Sequence, residues 1–215
     1  MPLYCETGQM LGLLHEPLNT VTNAAGLIAV FFIYRLLRKH GAPWFIYPFL
    51  ALMLASVLGS FFWHGTRSGI ALSFDTLPGI AALCFFTFVW ASELWNRWRG
   101  YAFVTVFVLA VAIAAFLPIP FMFRFFIPVI LLSLFLIGIS FRRDKKAGWF
   151  GVGMLCVLLL SAGFRTIDLA ACPYLPIGTH FLWHLLNPLG IYLAVLVLVH
   201  LRLNKETRRS LPGAA

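Results

Sequence analysis

The residues of this 215-residue chain best suited to chemistry sit at the ends of greasy stretches. "THFLWHLLNP", Thr179–Pro188, sets His180 and His184 four positions apart, and "SFFWH" gives Ser60 and His64 the same spacing. Residues i and i+4 of a helix lie about 6 Å apart along its axis and nearly on one face. His180 and His184 can therefore aim two imidazoles at one ion, with His64 as a third. Three neutral imidazoles with one open position form a catalytic zinc arrangement, in which the metal lowers the pKa of a water to about 7. Asp75, which follows His64 after the loop "GTRSGIALSF", would take the proton or orient the water. Ser60 would hydrogen-bond a developing oxyanion. Each group also has a plainer reading. Two histidines at a membrane boundary can bridge helices, a lone Asp near a helix start can be a cap, and a Ser can be packing glue. Phe and Trp near His64 and His184 can belong to an interfacial aromatic belt.

The elements that carry these residues are apolar enough to be membrane spans. Hydrophobic residues make up 61% of the chain and charged ones only 11%, against about 25% charged in a soluble domain. One membrane domain over residues 1–215 is expected, with no internal repeat. A crossing needs about 20 apolar residues. That ruler gives seven helices, over about 18–37, 44–63, 70–93, 101–117, 121–141, 148–167 and 179–203, and an all-α fold. The fourth and fifth are separated by "PIP", Pro118–Pro120, read as a tight turn because Pro removes a backbone donor.

Charge orients the bundle. The net charge of +9 invites a nucleic-acid partner, but the basic residues cluster between apolar runs, where they act as topology determinants. Of the 16 Lys and Arg, all but Arg67, Arg124 and Arg165 follow the first, third, fifth and seventh spans. The positive-inside rule then puts the N-terminus outside and the C-terminus in the cytoplasm. "MPLYCETGQM" lacks a basic segment followed by an apolar core, so it does not read as a cleavable signal peptide. With the spans alternating, Glu16, His64, Asp75, His180 and His184 all fall toward the outer face. Ionisable residues in spans usually face the bundle interior or a cavity. One shared depth, reached from three helices, favours a common site.

The combination of "EPLNTVTN" (Glu16–Asn23), "SFFWHGT" (Ser60–Thr66), "FDTLP" (Phe74–Pro78) and "HFLWH" (His180–His184) resembles the alkaline ceramidase family. That family sits within a superfamily of seven-helix membrane hydrolases that includes the adiponectin and progestin receptors. The resemblance implies an intramembrane zinc amidase cleaving the N-acyl bond of ceramide-like lipids to a sphingoid base and a fatty acid. It makes His64, His180 and His184 the zinc ligands, Asp75 the carboxylate that assists the water, and Ser60 the oxyanion donor. It also implies an N-terminal calcium site. Glu6 and Glu16 are retained, but Leu3 and Gly8 stand where oxygen-bearing side chains are expected, and calcium prefers six to eight oxygens. That site is depleted.

The resemblance further implies a bridge between the N-terminal segment and the loop before the last span, pairing Cys5 with Cys172; the alternative is two free thiols. Such a bond persists in oxidising compartments. Cys84 and Cys156 fall within spans and read as buried small hydrophobes. The compact chain fits a bacterial inner membrane with its site toward the periplasm, or a eukaryotic endomembrane with a luminal site. The rival functions are a seven-helix lipid receptor or transport-like protein with a structural zinc, and a hydrolase of another acyl lipid. A transporter would show broken helices at the midplane or a charge pathway, and neither pattern is present.

Overall fold

The computed structural model describes residues 3–118 and 121–210, and over these the chain is all helical. The helices are α1 (Pro17–Thr22), α2 (Ala24–Lys39), α3 (Tyr47–Thr66), α4 (Gly69–Leu94), α5 (Arg97–Ala114), α6 (Phe121–Arg143), α7 (Lys145–Ala171) and α8 (His180–Ser210). With α1 and α2 counted together over Pro17–Lys39, seven segments are long and apolar enough to cross a membrane.

Local polar chemistry sets the helix ends. The first segment is interrupted at Asn23, where side chains bond back to the preceding turn. Thr20 Oγ1 donates to the Glu16 carbonyl, Thr22 Oγ1 to Leu18, and Asn23 Nδ2 to Asn19. Such back-bonding competes with the helical ladder and bends helices. The fourth span starts earlier than the expected Tyr101. Asn96 caps α5 by accepting from the Arg99 amide at 3.0 Å, so Arg97 and Arg99 lie in its first turn. It also ends earlier, at Ala114 rather than Leu117. The helix is broken between Ala114 and Phe121, as expected around "PIP", although Ile119 and Pro120 lie outside the described residues. Asp144 caps α7 by accepting from the Ala147 amide.

The chain forms two compact units. The first comprises Met1–Ala82 and Cys156–Tyr192, and holds every residue singled out for chemistry. Here α3 meets α4 at close range. A Cβ on Gly59 would run into the backbone of Phe74 and Asp75, so only glycine fits. Ser56 Oγ donates to the Asp75 carbonyl at 2.6 Å beside that contact. Small residues that let backbones approach are the usual device for helix packing in membranes. The second unit comprises Leu83–Leu155 and Leu193–Ala215. Its interior is aromatic: Trp95 stacks on Phe103 at 5.1 Å, and buried Trp90 donates to Ser140 Oγ at 3.0 Å.

Candidate metal centre

The first unit gathers its polar side chains at one end of its helices. His64 is at the C-terminal end of α3, Asp75 is near the start of α4, and His180 opens α8. The three histidines are buried, and one ring nitrogen of each lies within 4.8 Å of the others. Ring centroids are 5.2 Å apart for His64 and His180, 4.7 Å for His64 and His184, and 4.8 Å for His180 and His184. That is close enough for all three to face one cation.

Two further observations favour a cation. His180 Nδ1 and Nε2 and His184 Nε2 are buried without a hydrogen-bond partner among the described residues. A buried polar group left unsatisfied costs about 1–3 kcal/mol, so three such nitrogens in one place call for a ligand. His64, by contrast, is held from behind: its Nδ1 shares a hydrogen bond with Glu16 Oε2. A carboxylate on one imidazole nitrogen fixes the ring and leaves the other free to ligate, the usual support for a metal-bound histidine.

Glu16 is fully buried and saturated with donors. Thr7 Oγ1 donates to it at 2.9 Å, Asn19 Nδ2 at 3.3 Å, and Arg67 pairs with it at 2.9 Å. Burial works to raise its pKa, but the hydrogen bond and charge of His64, the Thr7 hydroxyl and the Arg67 guanidinium outweigh it and hold the carboxyl below its usual range. Arg67 reaches Glu16 from a left-handed turn (φ 56°) that closes α3 through its amide to the Trp63 carbonyl. The free carbonyls of His64 and Gly65 are met in turn by the amides of Glu16 and His15. The backbone thus clamps the start of the first span onto the end of the second.

Glu6, the other acid weighed for calcium, caps α1 instead. Its two oxygens accept from the Leu18 amide at 2.6 Å and the Asn19 amide at 2.8 Å. Both carboxylates are therefore engaged with protein donors. Asp75 is half-buried beside Ser60 and within electrostatic reach of His64 and Arg165, but stands outside the histidine trio. Cys5 and Cys172 form a disulfide. Among the described residues Cys84 is half-buried and Cys156 exposed, rather than both buried, because the faces that carry them are not covered by protein.

With this geometry in hand, the comparison with known families is decisive: residues 4–212 match the family described as Ceramidase. The chain belongs to the ceramidase family. That membership implies an amide hydrolase acting on a lipid. A comparison with curated proteins found no match.

Two residues beside the histidine cluster have no counterpart in the sequence reading. Asp168, in the last turn of α7, accepts from the amides of Thr179 (2.6 Å) and His180 (2.8 Å) through Oδ1, and from Cys5 (2.8 Å) through Oδ2. It caps α8 across a loop and so anchors the backbone of His180. An acid at a helix C-terminus opposes the helix dipole, and that misplacement was the available signal. Tyr4 stacks on His180 with centroids 3.9 Å apart and planes at 20°. Burial pushes its phenol above the ordinary tyrosine pKa, so the ring stays neutral. In sequence it is one aromatic near a terminus, indistinguishable from an interfacial residue.

Proposed function

We propose that the chain is a zinc-dependent amidase that cleaves the N-acyl bond of ceramide-like lipids, releasing a sphingoid base and a fatty acid. The observation that carries this reading is the convergence of His64, His180 and His184, with three buried nitrogens lacking partners, in a member of the ceramidase family. An all-imidazole donor set without thiolates or clustered carboxylates fits zinc, and three protein ligands leave a position for reactants. His64, His180 and His184 would hold the zinc ion, and the chemistry it would supply there is Lewis acidity toward an amide carbonyl and a water made acidic enough to attack near neutral pH.

The remaining steps belong to side chains. Asp75 accepts the proton of the attacking water and returns it to the leaving nitrogen. Ser60 donates a hydrogen bond, to Asp75 at rest and to the carbonyl oxygen as negative charge gathers there. Glu16 keeps the His64 ring in register, and Arg67 balances the Glu16 charge. The basic residues toward the C-terminal ends of α2, α6 and α8 and in the first turns of α5 and α7 support an outward N-terminus and an outward site. The disulfide fits an oxidising space, such as a periplasm or an organelle lumen.

The test is incubation of zinc-loaded protein with a mixed membrane-lipid extract, followed by mass spectrometry of released fatty acids. Ceramide-type lipids should disappear with matching fatty-acid release, and a zinc chelator should stop it. Release from other amides or esters alone would keep the hydrolase and replace the substrate. No release from any lipid, with zinc bound, would favour a receptor.

A further inference from the structure

We propose that Tyr4 is a positioning residue for His180, standing in for the hydrogen-bonded partner that a metal-ligating histidine ordinarily has. The inference rests on the reading of the histidine trio as a metal site.

A ligating histidine usually donates its second ring nitrogen to a carboxylate, a carbonyl or water, and this fixes the plane of the ring. His64 has that support in Glu16. His180 has none among the described residues, since both of its ring nitrogens are buried without a hydrogen-bond partner there. Yet its position matters as much, because its ring must meet His64 and His184 at one point. Tyr4 lies nearly parallel over it at 3.9 Å, the shortest centroid separation of any ring pair among the described residues of the site. Such a stacked contact resists rotation of the imidazole out of its plane, over and above the area it buries.

Tyr4 can act this way only if its own position is fixed, and three links fix it. Cys5 is bonded covalently to Cys172. The Cys5 amide and the His180 amide are held by the two oxygens of one carboxylate, Asp168, so Tyr4 and His180 are registered against a common group. Glu6 is tied to the start of α1. Gly178, at φ 67°, leaves room for this arrangement: a Cβ there would collide with both Asp168 and Cys5. From the other side, the Arg67 guanidinium lies 5.7 Å from the Tyr4 ring, linking it to the Glu16 network that supports His64. The N-terminal segment thus orients one ligand through a stacked ring, and Glu16 orients another through a carboxylate.

A plain apolar plug would need bulk but not a ring, and this separates the two roles. The experiment is the zinc dissociation constant of the full-length protein, by competition with a chelator, beside the melting temperature of the zinc-free form. Tyr4→Phe keeps the ring and should bind zinc within about twofold of wild type. Tyr4→Leu keeps apolar bulk without the ring and should bind about 3- to 10-fold more weakly, the worth of a stacked aromatic pair, with the zinc-free melting temperature unchanged. Equal affinity in Tyr4→Leu and wild type would overturn the proposal, as would a Tyr4→Phe defect as large as that of Tyr4→Leu. If Tyr4→Leu fails to fold, the Cys5→Ser/Cys172→Ser double variant replaces it: it releases the segment, and undiminished zinc affinity there would overturn the proposal equally. A wild type that binds no zinc would instead remove the metal-site reading itself, an outcome distinct from a zinc-binding wild type matched by Tyr4→Leu.

Discussion

In the unit formed by Met1–Ala82 and Cys156–Tyr192, the almost wholly buried side chains include Glu16, Asn19, Thr20, His64, Asp168 and His180. In the unit formed by Leu83–Leu155 and Leu193–Ala215 they include Trp90, Ala91, Leu136, Ala147, Val195 and Val197, with Thr87 and Ser140 as the buried polar residues described there. Both units come from chain of similar greasiness. The second hides what lipid-facing helices hide cheaply, and its acid Glu93 is neutralised where it stands, by Lys205 at 3.2 Å and Arg202 at 3.7 Å. The first hides carboxylates and imidazoles, which are costly to bury unless paired or bound to a metal. Its acids are paired: Glu16 with His64 and Arg67, Glu6 with the α1 amides, Asp168 with three amides. The ring nitrogens of His180 and the Nε2 of His184 are not, among the described residues. The first unit is therefore organised around something its own side chains do not supply.

Substitutions in the two units should act differently. The largest effect is expected at Asp75. Asp75→Asn should keep zinc yet lose about 10²- to 10⁴-fold in turnover, the usual contribution of general acid–base catalysis; an unaltered rate constant would remove Asp75 from the chemistry. Next comes Glu16→Gln, which leaves the His64 ring without its carboxylate. Chelator competition should show zinc bound about 10- to 100-fold more weakly, and an unchanged dissociation constant would mean that Glu16 serves folding alone. The smallest effect belongs to the second unit. Ser140→Ala removes the acceptor of Trp90 and should lower stability by about 1 kcal/mol, measured by thermal unfolding, with zinc content and turnover at wild-type values. A large loss of activity there would blur the division between the units.

Much of the fold was legible because a bilayer demands long apolar runs, and seven such runs stand out between short basic clusters. Their ends were less legible. Asn96 draws the start of α5 back over two arginines that read as loop, because a capping bond outweighs the preference of charge for the interface. Within the site, the shared face of His180 and His184 follows from helical periodicity alone. That His64 meets them does not: no spacing rule connects α3 to α8, and the link rested on their shared depth toward the outer face, with the resemblance to ceramidases beside it. Glu16 joins His64 across 48 positions, so its partner is set by the clamp between the first two spans. Asp168 and Tyr4 act through a loop and a disulfide, where sequence carries residue types but not their geometry.

Zinc stoichiometry of the purified wild type beside His64→Ala, His180→Ala and His184→Ala tests the central claim most directly. The account predicts one zinc per chain in the wild type, and its loss, together with lipid hydrolysis, in each of the three variants. A variant that keeps a full equivalent of zinc at unchanged affinity, or hydrolyses lipid as fast as the wild type, would contradict it.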